Sequence, residues 1–201
     1  MSPSHKQMFC FAIAACMSAA AFAGSFEPAT AKSKFNFSSE GGGTAVRYKG
    51  KRTIKDPTGE VPGTIVINTR RKKLYFFLKG GKAIEYGVGV GRRGFTWYGT
   101  ANVKRKTEWP AWHPPQEMIE REKRQYGRTL PVKMEGGPKN PLGARALYLF
   151  QGSKDTLYRI HGTNAPWTIG QAVSSGCIRL VNNEIIDLYN RVKLGAKVIV
   201  N

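Results

Sequence analysis

Cysteine is scarce in these 201 residues: there are three, and two of them, Cys10 and Cys16, lie in the first sixteen positions. Cys177 therefore has no intrachain disulfide partner in the body of the chain, which excludes a disulfide framework. Histidine is as rare, and no His or Cys pair stands at the close spacing of a structural metal site. A zinc set drawn from His113, His161 and Cys177 lacks that pattern, so neither a metal nor a cofactor is expected. Acid is scarce too: 13 Asp and Glu face 32 Lys and Arg, a formal net charge of +19. Such a balance attracts polyanions. A long apolar run is missing as well. The best, Met8 to Ala20, falls short of the roughly 20 residues of a permanent membrane span, and no internal repeat is present.

That apolar run instead reads as part of a secretory signal peptide over residues 1–23. His5 and Lys6 make a weakly cationic start, and Ala21-Phe22-Ala23 fits the small-x-small cleavage pattern. A second processing route, a loose lipobox at Ile13-Ala-Ala-Cys16, would leave Cys16 lipidated; cleavage after Ala23 suits the length of the run better. Export to the periplasm or cell envelope follows. It makes anionic envelope polymers, rather than nucleic acid, the expected partners of the basic surface, with peripheral membrane association left open. Cleavage leaves 178 residues, enough for one domain with a substantial core, expected to be monomeric. It also leaves Cys177 as a lone thiol in an oxidising compartment, where an idle thiol is a liability.

Residues 24–61 are rich in Gly, Ser, Ala and Lys, and their composition predicts a flexible leader. The domain is placed at 62–201. Thr64-Ile-Val-Ile-Asn68 and Lys73-Leu-Tyr-Phe-Phe-Leu78 are strand candidates, and Lys79-Gly-Gly-Lys82 turns into a third over Ala83 to Val90. Glycines 87, 89 and 91 predict bends or close backbone approach there. Residues 92–143 are turn-rich and aromatic, with one short helix from Pro114 to Tyr126 that serves either as a lid or as a plain surface excursion. Ala146–Phe150, Leu157–His161 and Lys197–Val200 are further strands. Asn182–Leu194 is a helix with an Asn cap, an acidic first turn and one apolar face made of Ile185, Leu188, Tyr189 and Val192. Many short strands with few helices predict a mainly β single domain.

The chemistry gathers in His161-Gly-Thr-Asn164 and, sixteen residues after His161, Cys177 within Ser174-Ser-Gly-Cys-Ile-Arg-Leu180. A thiol attacks well once a neighbouring imidazole takes its proton. Strand alternation puts Ile178 and Leu180 toward a core and Cys177 with Arg179 on the other side; likewise Leu157, Arg159 and His161 oppose Tyr158 and Ile160. Gly176 permits close substrate approach, and the amides around Ser175, Gly176 and Cys177 can donate to an oxyanion. Arg179 either raises thiolate character and binds a substrate carboxylate or forms an internal salt bridge. Ser174 either contacts substrate or stabilises the turn, and its closeness to the nucleophile favours the first. With no carboxylate near His161 in sequence, the carbonyl of Gly162 or a neighbour is left to orient the ring.

These two segments resemble the signature of the L,D-transpeptidase catalytic (YkuD-like) family: a histidine-glycine strand end, then serine-x-glycine-cysteine-x-arginine. Asn140-Pro-Leu-Gly-Ala-Arg-Ala-Leu-Tyr148 and Ile169-Gly170 extend the resemblance over roughly residues 62–200. It implies a β-rich fold with mixed sheets and a few short helices. It also implies an exported enzyme acting on peptidoglycan stem peptides. Cys177 would be the nucleophile and His161 the general acid/base. Gly162 and the segment Ser175–Cys177 would supply backbone contacts, and Ser174, Arg179 and Asn164 would contact substrate. The reaction would release D-alanine from a tetrapeptide stem and pass the acyl group to an amine on another stem, a 3→3 crosslink. An envelope protein or water are the alternative acceptors. The resemblance further implies that a carbapenem acylates Cys177. Two departures stand out: Ser175 replaces a frequent histidine, and Thr96-Trp-Tyr-Gly99 replaces a frequent Thr-Pro-Thr-Gly. Outside the resemblance, a non-catalytic basic wall-binding protein and a papain-type protease are the competing readings. The order His161 then Cys177 runs against the protease.

Overall fold

Short β-branched and aromatic runs set the architecture of residues 50–201, the part of the chain that the computed structural model describes. The expectations for cleavage after Ala23, for Cys16 and for the leader up to residue 49 lie outside the described residues. In chain order the elements are β1 (Arg52–Lys55), β2 (Ile65–Asn68), β3 (Lys73–Leu78), β4 (Lys82–Gly87), β5 (Val90–Gly91) and β6 (Gly99–Glu108). Then come α1 (Gln116–Tyr126), β7 (Arg145–Gln151), β8 (Lys154–His161), a 3-10 turn at Pro166–Thr168, β9 (Ala172–Ser174), β10 (Ile178–Arg179), α2 (Asn182–Arg191) and β11 (Lys197–Val200). The fold is β-rich, as expected from the many short strands.

Nine strands form one mixed sheet in the order β1-β4-β3-β2-β11-β6-β7-β8-β10, and β5 pairs with β9 separately. Most neighbours are antiparallel; β2 with β11, β8 with β10, and β5 with β9 are parallel. Period-2 alternation sorts the side chains between the two faces. Ile65 and Ile67 join the main core with Leu74, Tyr86, Leu147, Leu149, Ile160 and the α2 residues Ile185, Leu188 and Val192. Val66, between those isoleucines, joins Phe77 and Ala83 in a smaller cluster on the other face. The apolar stripe of α2 therefore closes one side of the sheet, and its N-terminus arrives beside the end of β8.

The elements depart from the sequence-based expectations in four places. Arg52–Lys55, assigned to the leader, pairs antiparallel with β4 from Arg52↔Glu85 to Lys55↔Lys82. Its Lys and Arg side chains are exposed because it is an edge strand, where charge is tolerated and hides a strand in the composition. The ten-residue β6 lies within the stretch read as turns; only Ala101 and Val103 are fully buried in it, yet it bridges β11 and β7. Leu157 does not share a side with His161: it is 75% exposed at positive φ, where the β7–β8 register shifts, and regular alternation resumes at Tyr158. α2 starts with Val181 in the capping position and ends at Arg191 rather than Leu194. Asn182 forms no cap, because its side chain is bonded elsewhere. α1 ends where expected, at Tyr126 with Gly127 in the left-handed conformation, but begins at Gln116 rather than Pro114, and no residue of it is fully buried. Asn140, 1% exposed, ties the surrounding excursion down by donating to the carbonyls of Pro110, Met134 and Glu135.

Candidate active site

The parallel pairing of β8 with β10 places Ile178 opposite Ile160 and Arg179 opposite His161. Ile178 and Leu180 are buried in the core, so alternation turns Cys177 and Arg179 to the side that carries His161. Extending the register by one residue sets Cys177 beside Arg159, whose backbone donates a hydrogen bond to the thiol. His161 is then the diagonal neighbour of Cys177, within reach of a side chain. Imidazole, thiol and guanidinium thus meet on one surface, made by two adjacent strand ends.

The ring is oriented by backbone. His161 Nδ1 stands 2.6 Å from the Gly162 carbonyl oxygen. A carbonyl only accepts, so Nδ1 carries the hydrogen, and in the neutral ring Nε2 keeps its lone pair. The expected orienting partner is the one found. His161 is 3% exposed. Burial first, and then the charge of Arg179, pull its pKa down to about 3, against the opposing effect of the Gly162 and Leu142 carbonyls. Burial also pushes the Cys177 thiol up; the Arg159 backbone bond and the charges of Arg159 and Arg179 only partly offset it. The resting pair is therefore a neutral thiol and a neutral imidazole. Arg179 does favour thiolate, as its neighbourhood suggests, but desolvation of the half-buried thiol is the larger effect.

Arg179 itself makes no ion pair among the described residues, and its Nε is buried without a hydrogen-bond partner. Desolvation lowers its pKa, with only Cys177 acting the other way. The internal salt bridge weighed from the sequence is not formed among the described residues. Arg159, by contrast, is held bidentately by Asp155 at 2.7 and 2.9 Å. One guanidinium is committed to the fold, and the other faces the thiol with no carboxylate paired to it among the described residues.

The loop before Cys177 is shaped by two small residues. Ser174, 2% exposed, donates from Oγ to the Cys177 carbonyl at 2.6 Å and accepts from the Gly176 amide at 3.1 Å. Its hydroxyl thus builds the turn, the second of the two roles weighed for it, and the Gly176 amide is occupied in the resting site. A buried turn must satisfy its own polar groups. Gly176 has φ +110°, and a Cβ there would lie 2.5 Å from the Tyr158 ring and 2.8 Å from the Phe95 carbonyl oxygen. Only glycine fits. Ser175, half-buried, lies in the same turn. Asn164 is exposed, donates to the Lys139 carbonyl, and lines a cavity of about 300 Å³ with Thr163, Pro166, Asn182 and Asn183.

Sequence reasoning missed three contributors. Trp97 stacks on Tyr158 with ring centroids 5.0 Å apart, forming an aromatic wall against Gly176. Alternation put Tyr158 on the side of Ile160, and it does pack against the core there; Trp97 lies in the Thr96–Gly99 stretch that departs from the family pattern. Asn182, read as a helix cap, accepts from the backbone amides of Ala144 and Thr163 through Oδ1.

Comparison with known proteins finds relatives of this chain. The sequence model of the L,D-transpeptidase catalytic domain family, YkuD, matches residues 62–200. A probable L,D-transpeptidase of Escherichia coli K12, YbiS, is 38% identical over 162 residues, covering 78% of this chain and 49% of its own. A putative L,D-transpeptidase of Bacillus subtilis 168, YqjB, is 32% identical over 150 residues, covering 72% of this chain and 76% of its own. The chain spans about half the length of the Escherichia coli relative. A Brucella melitensis crystal structure, named as a probable carnitine operon oxidoreductase, is 49% identical, covers 75% of this chain and 92% of its own, and superposes with a TM-score of 0.50.

Proposed function

The chain belongs to the L,D-transpeptidase catalytic domain family, and from that premise we propose that it is a cysteine acyltransferase of peptidoglycan, with Cys177 as nucleophile and His161 as general acid/base. The observation that carries the proposal is the shared surface of β8 and β10, where a tautomer-fixed imidazole, a thiol and an un-neutralised guanidinium converge.

Cys177 Sγ attacks the carbonyl between the third stem residue, meso-diaminopimelate, and terminal D-alanine, while its proton passes to His161 Nε2. A neutral resting pair suits this general-base route: the base is already unprotonated at neutral pH, and proton and nucleophile move together. The Gly162 and Leu142 carbonyls favour the protonated ring, so they stabilise the imidazolium as it forms. With the Gly176 amide engaged by Ser174, the amides of Ser175 and Cys177 receive the oxyanion. His161 returns its proton to the departing D-alanine amine, which leaves a thioester on Cys177. An amine of a second stem then attacks the thioester and gives its proton to His161, and Cys177 leaves as the reprotonated thiol. Arg179 binds a donor carboxylate, an assignment supported by its missing ion pair. Export through residues 1–23 supplies the envelope location that this substrate requires.

Incubating the protein with disaccharide-tetrapeptide and resolving products by mass spectrometry tests the reading. A crosslinked dimer with released D-alanine identifies a stem amine as acceptor, a tripeptide identifies water, and an acylated envelope protein identifies attachment to the wall. Neither dimer nor D-alanine from the wild type would sink all three. Cys177→Ala should give no product and, by intact mass, no carbapenem adduct.

A further inference from the structure

The peptide between Gly162 and Thr163 carries two hydrogen bonds of opposite sense. Its carbonyl oxygen accepts from His161 Nδ1 at 2.6 Å, and its N–H donates to Asn182 Oδ1 at 3.2 Å. A trans peptide is rigid and planar, so fixing its N–H fixes the direction of its carbonyl. The same Oδ1 accepts from the Ala144 amide at 3.0 Å, so one side-chain oxygen joins the end of β8, the turn before β7 and the start of α2. The fit is tight on both sides. A Cβ at Gly143 or at Gly162 would collide with Asn182 Oδ1, and one at Gly162 would also press on Ile185 at 3.1 Å. Thr163 is 3% exposed, so water does not readily replace the bond.

From this juxtaposition we infer that Asn182 is a positioning residue for His161, acting through the Gly162–Thr163 peptide. The site is a thiol, an imidazole and a peptide plane held by an amide oxygen. A side-chain carboxylate that would hold the ring is replaced by a backbone dipole, and Asn182 aims that dipole. Hydrogen bonds in series polarise one another, so the bond at the N–H end also strengthens the carbonyl as an acceptor. α2 is thereby coupled to the catalytic surface at its first residue, which explains why Asn182 is unavailable as a cap.

The catalytic consequence rests on His161 being the base; the geometric one does not, and the test separates them. Long-range proton–nitrogen NMR on the full chain, with the His161 signals assigned by their loss in His161→Gln, should show a single Nδ1–H tautomer in the wild type. Asn182→Ala should give mixed tautomers and faster exchange of the Nδ1 proton. Its kcat for D-alanine release should fall about 10–100-fold, as expected for a misaligned base, with KM little changed. Asn182→Asp keeps an acceptor at both amides, so it should retain the tautomer and most of kcat. Its new negative charge should move the acidic limb of the kcat profile to higher pH. An unchanged tautomer or an unchanged kcat in Asn182→Ala overturns the inference. Should that variant fail to fold, an unmoved acidic limb in Asn182→Asp overturns it instead. Absence of any turnover by the wild type would count against the proposed reaction, while the tautomer measurement would still decide the role of Asn182.

Discussion

Acid should destabilise this protein through a group that stays neutral in the fold. His161 has a folded pKa of about 3 against 6.5 for the free side chain, because burial and then Arg179 oppose its charge. Between those values the unfolded chain binds a proton that the folded one does not, so stability rises with pH across the window and is lost as pH falls through it. At about 1.4 kcal/mol per pKa unit, lowering the pH from neutral to about two units below 6.5 costs roughly 2–3 kcal/mol. The perturbation is His161→Gln, which removes the titration and keeps a polar side chain. Urea unfolding at pH 7.5 and pH 4.5 gives the comparison, since carboxylates contribute equally to both proteins. The wild type should lose about 2–3 kcal/mol more than His161→Gln, a difference in midpoint of about 1 M or more at ordinary m-values. Arg179→Gln should fall between them and nearer the wild type, because burial is the larger cause. Equal acid losses in wild type and His161→Gln would refute the reasoning.

Three further outcomes are expected. Gly176→Ala meets the Tyr158 ring and the Phe95 carbonyl at φ +110°, so it should lose about 2–4 kcal/mol in denaturant unfolding and its turnover as well. Asp187 accepts from Tyr86 Oη at 2.6 Å and pairs with Lys51 and Arg191, and these partners hold its carboxyl well below the usual range. Asp187→Asn should therefore cost about 2–3 kcal/mol at neutral pH, with the two unfolding curves converging as acid protonates the wild-type carboxylate. Because burial pushes the Cys177 thiol up from 9.0, its alkylation by iodoacetamide should keep accelerating through pH 9; a plateau below pH 8, read from the labelled Cys177 peptide, would contradict a neutral resting thiol.

Much of the fold was legible because its strands announce themselves locally. Ile65–Asn68, Lys73–Leu78 and Lys197–Val200 carry alternating or continuous apolar runs, and pairing leaves those runs where local pattern puts them. β1 and β6 were not legible, since most of their Lys and Arg residues are exposed while only partner strands define them. The spacing of His161, Cys177 and Arg179 marks a catalytic cassette, and alternation alone predicts that Cys177 and Arg179 share a side. Residue types thus pointed to a candidate nucleophile and base, and the motif resembled the family whose model matches residues 62–200.

Tertiary structure decided the rest, because each remaining feature depends on groups distant in sequence. Desolvation set the neutral resting state of the thiol and imidazole, and a sequence carries no record of solvent exclusion. That no described carboxylate pairs with Arg179 is a fact about packing. Ser174 became a turn residue once its hydroxyl met the Gly176 amide and the Cys177 carbonyl. Asn182 became part of the site only when α2 brought its oxygen to the amides of Ala144 and Thr163, 38 and 19 residues away along the chain.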